Sequence, residues 1–304
     1  MKISFLEIFC GVHENIMKEK NKQINIESGL YIVATPIGNL NDLSIRAIKT
    51  LQQVDIIVCE NPKHSIKLLN NFDIKKKLLS LHDYNEEFLI KKIEKLGINK
   101  KIALISDAGS PLISDPGYKF VTYFINNQKY ITTVPGPSSL ISALQFSGLS
   151  IVNFAYYGFV PKNKKKISEF FKKIININLT SVFFISSNNL EKNYEYIFEI
   201  IGDRKICICK EITKFNESIF RGTTKSLSLD LKNRKINMRG EFTIVLDVNI
   251  AKSKESNLLS NETKKEVLKL LKKYSLTETV KIVHKLTNIS KKEIYKAAIE
   301  IKNG

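Results

Sequence analysis

Four short apolar, β-branched runs in the first half of the chain each stop at a turn and give way to helical spacing. That alternation is the strongest constraint on the fold. Leu30 to Ala34 is followed by Thr35-Pro36-Ile37-Gly38 and then by apolar residues at Leu43, Ala47, Ile48 and Leu51, the spacing of an amphipathic helix. The unit recurs from Val54 to Cys59, Ile102 to Ser106 and Tyr130 to Val134. Strands that alternate with helices pair in parallel, because each crossover helix comes to lie on a face of the sheet. The first half is therefore expected to form an α/β domain with a parallel sheet covered on both faces.

All seven prolines lie between Pro36 and Pro161, most of them directly after those runs. Thr35-Pro36-Ile37-Gly38-Asn39, Asp107-Ala108-Gly109-Ser110-Pro111 with Asp115-Pro116-Gly117, and Pro135-Gly136-Pro137-Ser138 each begin where a strand ends. A single loop of this kind needs no role beyond ending its strand. Three at one edge are expected to line a pocket, since ligands of open α/β sheets bind outside the carboxyl ends of the strands. The pocket does not suit phosphate. The P-loop pattern and GxGxxG after the first strand are both missing, and Pro-Gly-Pro is a poor anion nest because proline lacks an N–H. A cationic small molecule, read through carbonyls and a carboxylate such as Asp107, fits better.

After Gly148-Leu149-Ser150 a second α/β segment is expected, with strands at Phe154 to Gly158, Val182 to Ile185, Lys205 to Lys210 and Phe242 to Val248, and a helix near Leu190 to Ile201. From Asn261 to Lys302 only helical signals remain. Ser275-x-x-Glu278 and Ser290-x-x-Glu293 read as capping boxes opening two of three short amphipathic helices. Their lysines suit either a solvated face or a helix-turn-helix that meets nucleic acid. The organisation expected is a variable extension over 1–28, α/β domains over 29–150 and 151–251, and a basic helical module over 252–304.

The 304 residues carry 48 basic and 30 acidic side chains, a formal charge of +18, which points toward a polyanionic partner. Only five of the basic residues are arginine, the better phosphate fork, so lysine-rich compositional drift explains part of the excess. Its distribution says more. Residues 29–150 carry +4, whereas 151–251 and 252–304 carry +7 each. No run of about 18 uninterrupted apolar residues occurs, so no membrane-spanning helix is expected, and the chain reads as cytoplasmic. Cys10, Cys59, Cys207 and Cys209 form no CxxC pair, so neither a zinc site nor a disulfide framework is indicated. Cys207-x-Cys209 is expected to place its thiols on alternate faces of a strand.

On these loops the sequence resembles the ribosomal RNA small subunit methyltransferase I family, tetrapyrrole-methylase-like S-adenosylmethionine enzymes. The likeness runs from about Gly29 to Lys302. It rests on Val33-Ala34-Thr35-Pro36-Ile37-Gly38-Asn39-Leu40, the dodecamer from Ser106 to Gly117, Val134-Pro135-Gly136-Pro137-Ser138-Ser139, and Gly158-Phe159-Val160-Pro161 leading into Lys162 to Lys166. The dodecamer is very specific.

The resemblance implies two α/β domains with S-adenosylmethionine in the cleft between them, a homodimer, no metal, and 2′-O-methylation of a cytidine ribose in the decoding region of 16S rRNA in the small ribosomal subunit. It places the donor at Pro36, Asp107, Ala108, Gly109, Ser110, Pro111, Pro135, Gly136, Pro137 and Ser138. RNA contacts are expected at Lys63, Lys162, Lys164, Lys165 and Lys166. A ribose hydroxyl needs a base that accepts its proton, and the candidates are His82, in an element similar to the family's His-Glu-His-Asn-Glu, and Glu60.

Two elements depart from the family. Cys59-Glu60-Asn61-Pro62-Lys63 stands where Cys-Glu-Asp-Thr-Arg is usual, and Phe184-Ile185-Ser186-Ser187-Asn188-Asn189 where Tyr-Glu-Ser-Pro-His-Arg is usual. They motivate an alternative, a ribosome-binding protein that keeps the fold but has weakened catalysis. A small-molecule methyltransferase of the tetrapyrrole type is a further alternative.

Overall fold

The computed structural model describes residues 26–97, 99–177, 179–248, 261–287 and 289–303. The 1–28 extension up to residue 25, Cys10 among it, and the Glu293 side chain of the second capping box lie outside the described residues. The chain forms two compact units. The first takes the described residues up to Ser142 together with Glu211–Glu217, and the second takes Ala143–Lys210 with the residues from Ser218 onward.

In the first unit β1 (Gly29–Val33), β2 (Ile56–Cys59), β3 (Lys77–Ser80), β4 (Lys101–Ile105) and β5 (Ile131–Val134) form one sheet in the order β3-β2-β4-β1-β5. Every pairing is parallel, as the alternating pattern requires. The two faces separate by the period of two along each strand. Tyr31, Val33, Ile57, Cys59, Ala103 and Ile105 pack with Leu43, Ala47 and Leu51 around α1 (Ile45–Gln53), and with Leu69 of α2 (Pro62–Asn70). Leu30, Ile56, Val58, Ile102 and Leu104 pack with Leu89 and Ile93 of α3 (Glu86–Lys95) and with Phe120 and Phe124 of α4 (Tyr118–Asn126). Burial at about 25 cal/mol per Å² makes these two apolar layers the main driving force for this unit. The helix α5 (Ser139–Ser147) follows β5.

The second unit departs from the parallel pattern. Its sheet, in the order β6-β7-β10-β8-β9, is built from β6 (Phe154–Phe159), β7 (Thr180–Ser186), β8 (Lys205–Lys210), β9 (Ser218–Thr223) and β10 (Glu241–Leu246). Only β6 and β7 pair in parallel, and the other ladders are antiparallel. One face is covered by α6 (Lys164–Asn176), α7 (Ser187–Ile201) and α8 (Thr224–Lys232), around Phe171, Phe183, Ile208 and Ile244.

The thiols of Cys207 and Cys209 lie together, Sγ to Sγ 3.6 Å, opposite Ile206 and Ile208. Residues two apart on a strand share a face, so the expectation of alternate faces is corrected. Cys209 in turn makes a further contact.

Helices α9 (Asn261–Leu271), α10 (Leu276–Thr287) and α11 (Lys291–Asn303) enclose Val267, Val280, Val283, Ile294 and Ala298. The Ser275 capping box is formed. The Ser275 N–H donates to Glu278 Oε2 at 3.0 Å and the Glu278 N–H to Ser275 Oγ at 3.3 Å.

Candidate active site

The loops that leave β1, β4 and β5 meet at the carboxyl edge of the first sheet. Thr35 and Gly109 exchange backbone hydrogen bonds, N to O, at 2.9 and 3.0 Å. The Thr35 hydroxyl donates to Ser106 O at 3.2 Å and the Ser106 hydroxyl to Gly109 O at 3.1 Å. Ser110 Oγ donates to Pro137 O at 3.3 Å, tying the β4 loop to Pro135-Gly136-Pro137. Two glycines sit in tight places. At Gly109, with φ +81°, a β-carbon would stand 3.1 Å from Ile37 Cγ2, and at Gly136 it would stand 3.0 Å from Ala34 Cβ.

One participant is not evident from sequence. The segment Glu211–Glu217 joins this unit, and a β-carbon at Gly38 would overlap Lys214 Cγ. Lys214 Nζ pairs with Glu211 Oε1 at 3.2 Å. Nothing in the local sequence signals this approach, since it is decided by contacts between residues far apart in the chain.

The β2 loop is knit to the same cluster. The Asn61 N–H donates to Asp107 Oδ1 at 3.3 Å, and Ser80 Oγ donates to Glu60 O at 3.1 Å. The Asn85 carboxamide accepts from the His82 N–H at 2.8 Å and donates to Ser80 O at 3.0 Å, so the His82 loop is fastened beside the end of β2. A small recess is lined by Glu60, Leu81, Ser106, Pro111, Asp115 and Pro116.

Carboxylates dominate the charge here. Burial, then the Glu60 carboxylate, pushes Asp115 up to about 6, against a lowering hydrogen bond from Ser106. Partial desolvation of its carboxylate, then Asp107 and Asp83, raises Glu60. Burial likewise raises the Cys59 thiol.

The donor candidates therefore come together, though with different exposure. Pro36, Gly109 and Pro111 are buried, Asp107, Ser110, Pro137 and Ser138 half-buried, and Ala108, Pro135 and Gly136 exposed. No lysine or arginine occurs in Thr35–Asn39, Ser106–Gly117 or Pro135–Ser138. Carboxylates that raise one another's pKa, with no basic residue in these loops, suit a cationic ligand, and the residues present fit a sulfonium donor. Among the described residues no cluster of His, Cys, Asp and Glu is arranged to hold a metal ion. His82 and Glu60 are exposed in adjoining loops.

The altered elements have structural work of their own. Asn61 caps α2, its side chain accepting from the Lys63 and His64 N–H groups at 3.1 and 3.3 Å. Pro62 occupies the first turn, where its missing N–H costs nothing. Asparagine caps as well as aspartate does. Asn189 is buried and donates to Val160 O and Pro161 O, both at 3.0 Å.

The expected RNA contacts Lys63, Lys162, Lys164, Lys165 and Lys166 are all exposed. The Lys164 ammonium lies 5.7 Å from the centroid of the Tyr196 ring.

The sequence matches the family model described as Tetrapyrrole (Corrin/Porphyrin) Methylases over residues 29–228. Over 278 residues, 86% of this chain and 98% of the relative, it is 36% identical to the ribosomal RNA small subunit methyltransferase I of Rickettsia prowazekii. The chain belongs to the ribosomal RNA small subunit methyltransferase I family. The Thermotoga maritima member is 42% identical over 71% of this chain and 97% of its own length. In solved structures the fold recurs in diphthine synthase, at a TM-score of 0.54 and 13% identity, covering 72% of this chain and 89% of that one. Membership makes the chain a methyltransferase of this family and favours neither alternative.

Proposed function

We propose that this chain methylates the 2′-oxygen of a cytidine ribose in the decoding region of 16S rRNA, using S-adenosylmethionine, as a cytoplasmic homodimer. The observation that carries the reading is the junction of the β1, β4 and β5 loops, which themselves contain no lysine or arginine and are edged by Asp107, Asp115 and Glu60, in a chain whose relatives bear the name ribosomal RNA small subunit methyltransferase I. When bound, the donor supplies an electrophilic methyl carbon on a sulfonium and leaves as a neutral thioether.

The chain's own residues do the rest. Pro36, the Asp107–Pro111 loop and Pro135–Ser138 hold the donor through backbone groups and close packing. Glu60 accepts the 2′-hydroxyl proton. Its raised pKa makes it a better base than an ordinary carboxylate, and its neighbour Asn61 is hydrogen-bonded to Asp107. His82 is the second candidate for that proton, or orients the ribose from the adjoining loop. Lys63 and Lys162 to Lys166 meet phosphates, which fixes the register of the RNA without reading its sequence. The domains over 29–150 and 151–251 and the module over 252–304 divide the work, the first binding donor and the reacting ribose and the more basic remainder supplying most of the RNA contacts.

Ribose methylation of small-subunit rRNA, mapped by mass spectrometry in a deletion strain, tests the reading. A decoding-region cytidine should lose its methyl group, and an unchanged map would sink the assignment. Calorimetric titration with S-adenosylmethionine tests the donor site separately. The base assignment predicts that Glu60→Gln loses most of kcat, far more than any loss of donor affinity from the missing charge, whereas His82→Ala acts mainly on KM for RNA.

A further inference from the structure

The chain leaves the second sheet at a distorted place. The β6–β7 register shifts between Tyr156 and Phe159, and Gly158 stands at φ +73°. The Val160 N–H still reaches Phe184 O at 2.8 Å. Beyond it the ladder is lost, and Pro161 has no N–H to offer. The carbonyls of Val160 and Pro161 thus need partners from elsewhere, and Val160 is 5% exposed.

Asn189, in the first turn of α7, supplies them. Both protons of its carboxamide are used, one on each carbonyl at 3.0 Å. Its oxygen accepts from Asn193 Nδ2 at 2.8 Å, one helical turn along. The two asparagines are 5% and 8% exposed. An amide placed this way cannot rotate without leaving buried polar atoms unpaired.

The basic run begins directly after the pinned turn. Lys162 is exposed, Asn163 caps α6 by accepting from the Lys165 N–H at 2.9 Å, and Lys164, Lys165 and Lys166 open the helix with no acidic residue in its first turn. Cations at the positive end of a helix are unfavourable, so the helix dipole does not account for their placement. An anion brought to them would relieve the repulsion. Ile167 and Phe171, both fully buried, anchor the inner side of the same helix.

We propose that Asn189, braced by Asn193, is a positioning residue for RNA: it holds the Val160–Pro161 turn and so fixes the direction in which Lys162–Lys166 are presented. This rests on the reading of that run as an RNA contact.

The test measures binding of the full chain to a small-subunit rRNA fragment over a salt series, with a calorimetric titration of S-adenosylmethionine beside it. Asn189→Ala should weaken RNA binding about three- to tenfold, because the lysines hold the competent arrangement for a smaller share of the time. The slope of log K against log salt should flatten by about one phosphate contact. KM for RNA should rise, with kcat and donor affinity unchanged. Asn193→Ala keeps both carbonyl bonds and removes only the brace, so it should act in the same direction and less strongly, and it carries the test if Asn189→Ala fails to fold.

A Lys165→Ala/Lys166→Ala double variant separates the two ideas. If it loses RNA affinity while the asparagine variants keep native affinity and slope, the positioning role is overturned and the RNA reading stands. If the double variant binds RNA as the native chain does, both fall together. Loss of donor affinity in Asn189→Ala would reveal a general structural defect and would also overturn the proposal.

Discussion

Glu86, at the start of α3, closes the amino end of α4: its Oε2 accepts the Phe120 N–H at 2.9 Å and its Oε1 the Gly117 N–H at 3.3 Å. Gly117, the N-cap of α4, has no side chain with which to cap it. The leading N–H groups of a helix lack intrahelical partners, and a carboxylate suits the positive end of its dipole. One buried side chain thus couples the His82 loop to the Asp115-Pro116-Gly117 turn. Glu86→Ala is expected to lower the unfolding free energy by about 2–4 kcal/mol in urea titration, and Glu86→Gln, which retains one acceptor, by about half as much. An alanine variant within about 0.5 kcal/mol of native would show that the coupling adds nothing.

The raised pKa of Asp115 fixes the sign of a pH effect. Between about pH 4 and pH 6 the folded chain holds a proton that the unfolded chain has released. Stability therefore falls as pH rises through that window, and the penalty is complete above about 6. Asp115→Asn should melt higher than the native chain at pH 7.5, with the gain shrinking to nothing by about pH 4. A gain that is constant with pH would mean that Asp115 is not the group responsible.

Donor binding should respond in the opposite direction. A sulfonium near Asp115 favours the carboxylate, so affinity for S-adenosylmethionine is expected to rise between about pH 5 and pH 7, with net proton release near pH 6. Calorimetry in two buffers of different ionisation enthalpy reads that release directly. Identical heats in both buffers would place the cation away from this carboxylate.

Asn61 offers a test of how a departure from the family pattern is tolerated. Asn61→Ala removes the α2 cap and should cost about 1 kcal/mol, whereas Asn61→Asp, the residue usual in the family, should cost little because it caps equally well. Thermal melts of the two variants settle the comparison. Equal losses in both would show that capping is not what Asn61 does.

Gly109 combines two constraints. Its φ of +81° and the 3.1 Å that would separate an added β-carbon from Ile37 Cγ2 both oppose a side chain. Gly109→Ala is expected to destabilise by about 1–2 kcal/mol and to weaken donor binding, because the exchange with Thr35 is strained. Native affinity in that variant would separate the loop from the donor site.

The middle of the first sheet was legible because β1, β2 and β4 are buried on both faces and read as apolar runs. Two strands escaped. Lys77–Ser80 and Ser218–Thr223 are partly exposed edge strands, and neither is marked by an apolar run. The antiparallel order of the second sheet was not legible either, since periodicity reports burial and not direction. At the site, the Gly and Pro loops stood out because the turn chemistry is local. The cap formed by Glu86, the repulsion between Glu60 and Asp115, and the approach of Lys214 to Gly38 join residues far apart in the chain, and no local pattern encodes them. The two asparagine elements depart from the family in sequence, and residue type alone did not announce the hydrogen bonds that Asn61 and Asn189 make.

The first unit is not continuous in the chain, and that orders its maturation during synthesis. A nascent chain that has emerged as far as β5 already holds every strand of the first sheet. It still lacks Glu211–Glu217, the segment that brings Lys214 against Gly38. Since translation adds only about 5–20 residues per second, the β1 loop waits several seconds, until β6, β7 and β8 have also left the exit tunnel, before its last neighbour arrives.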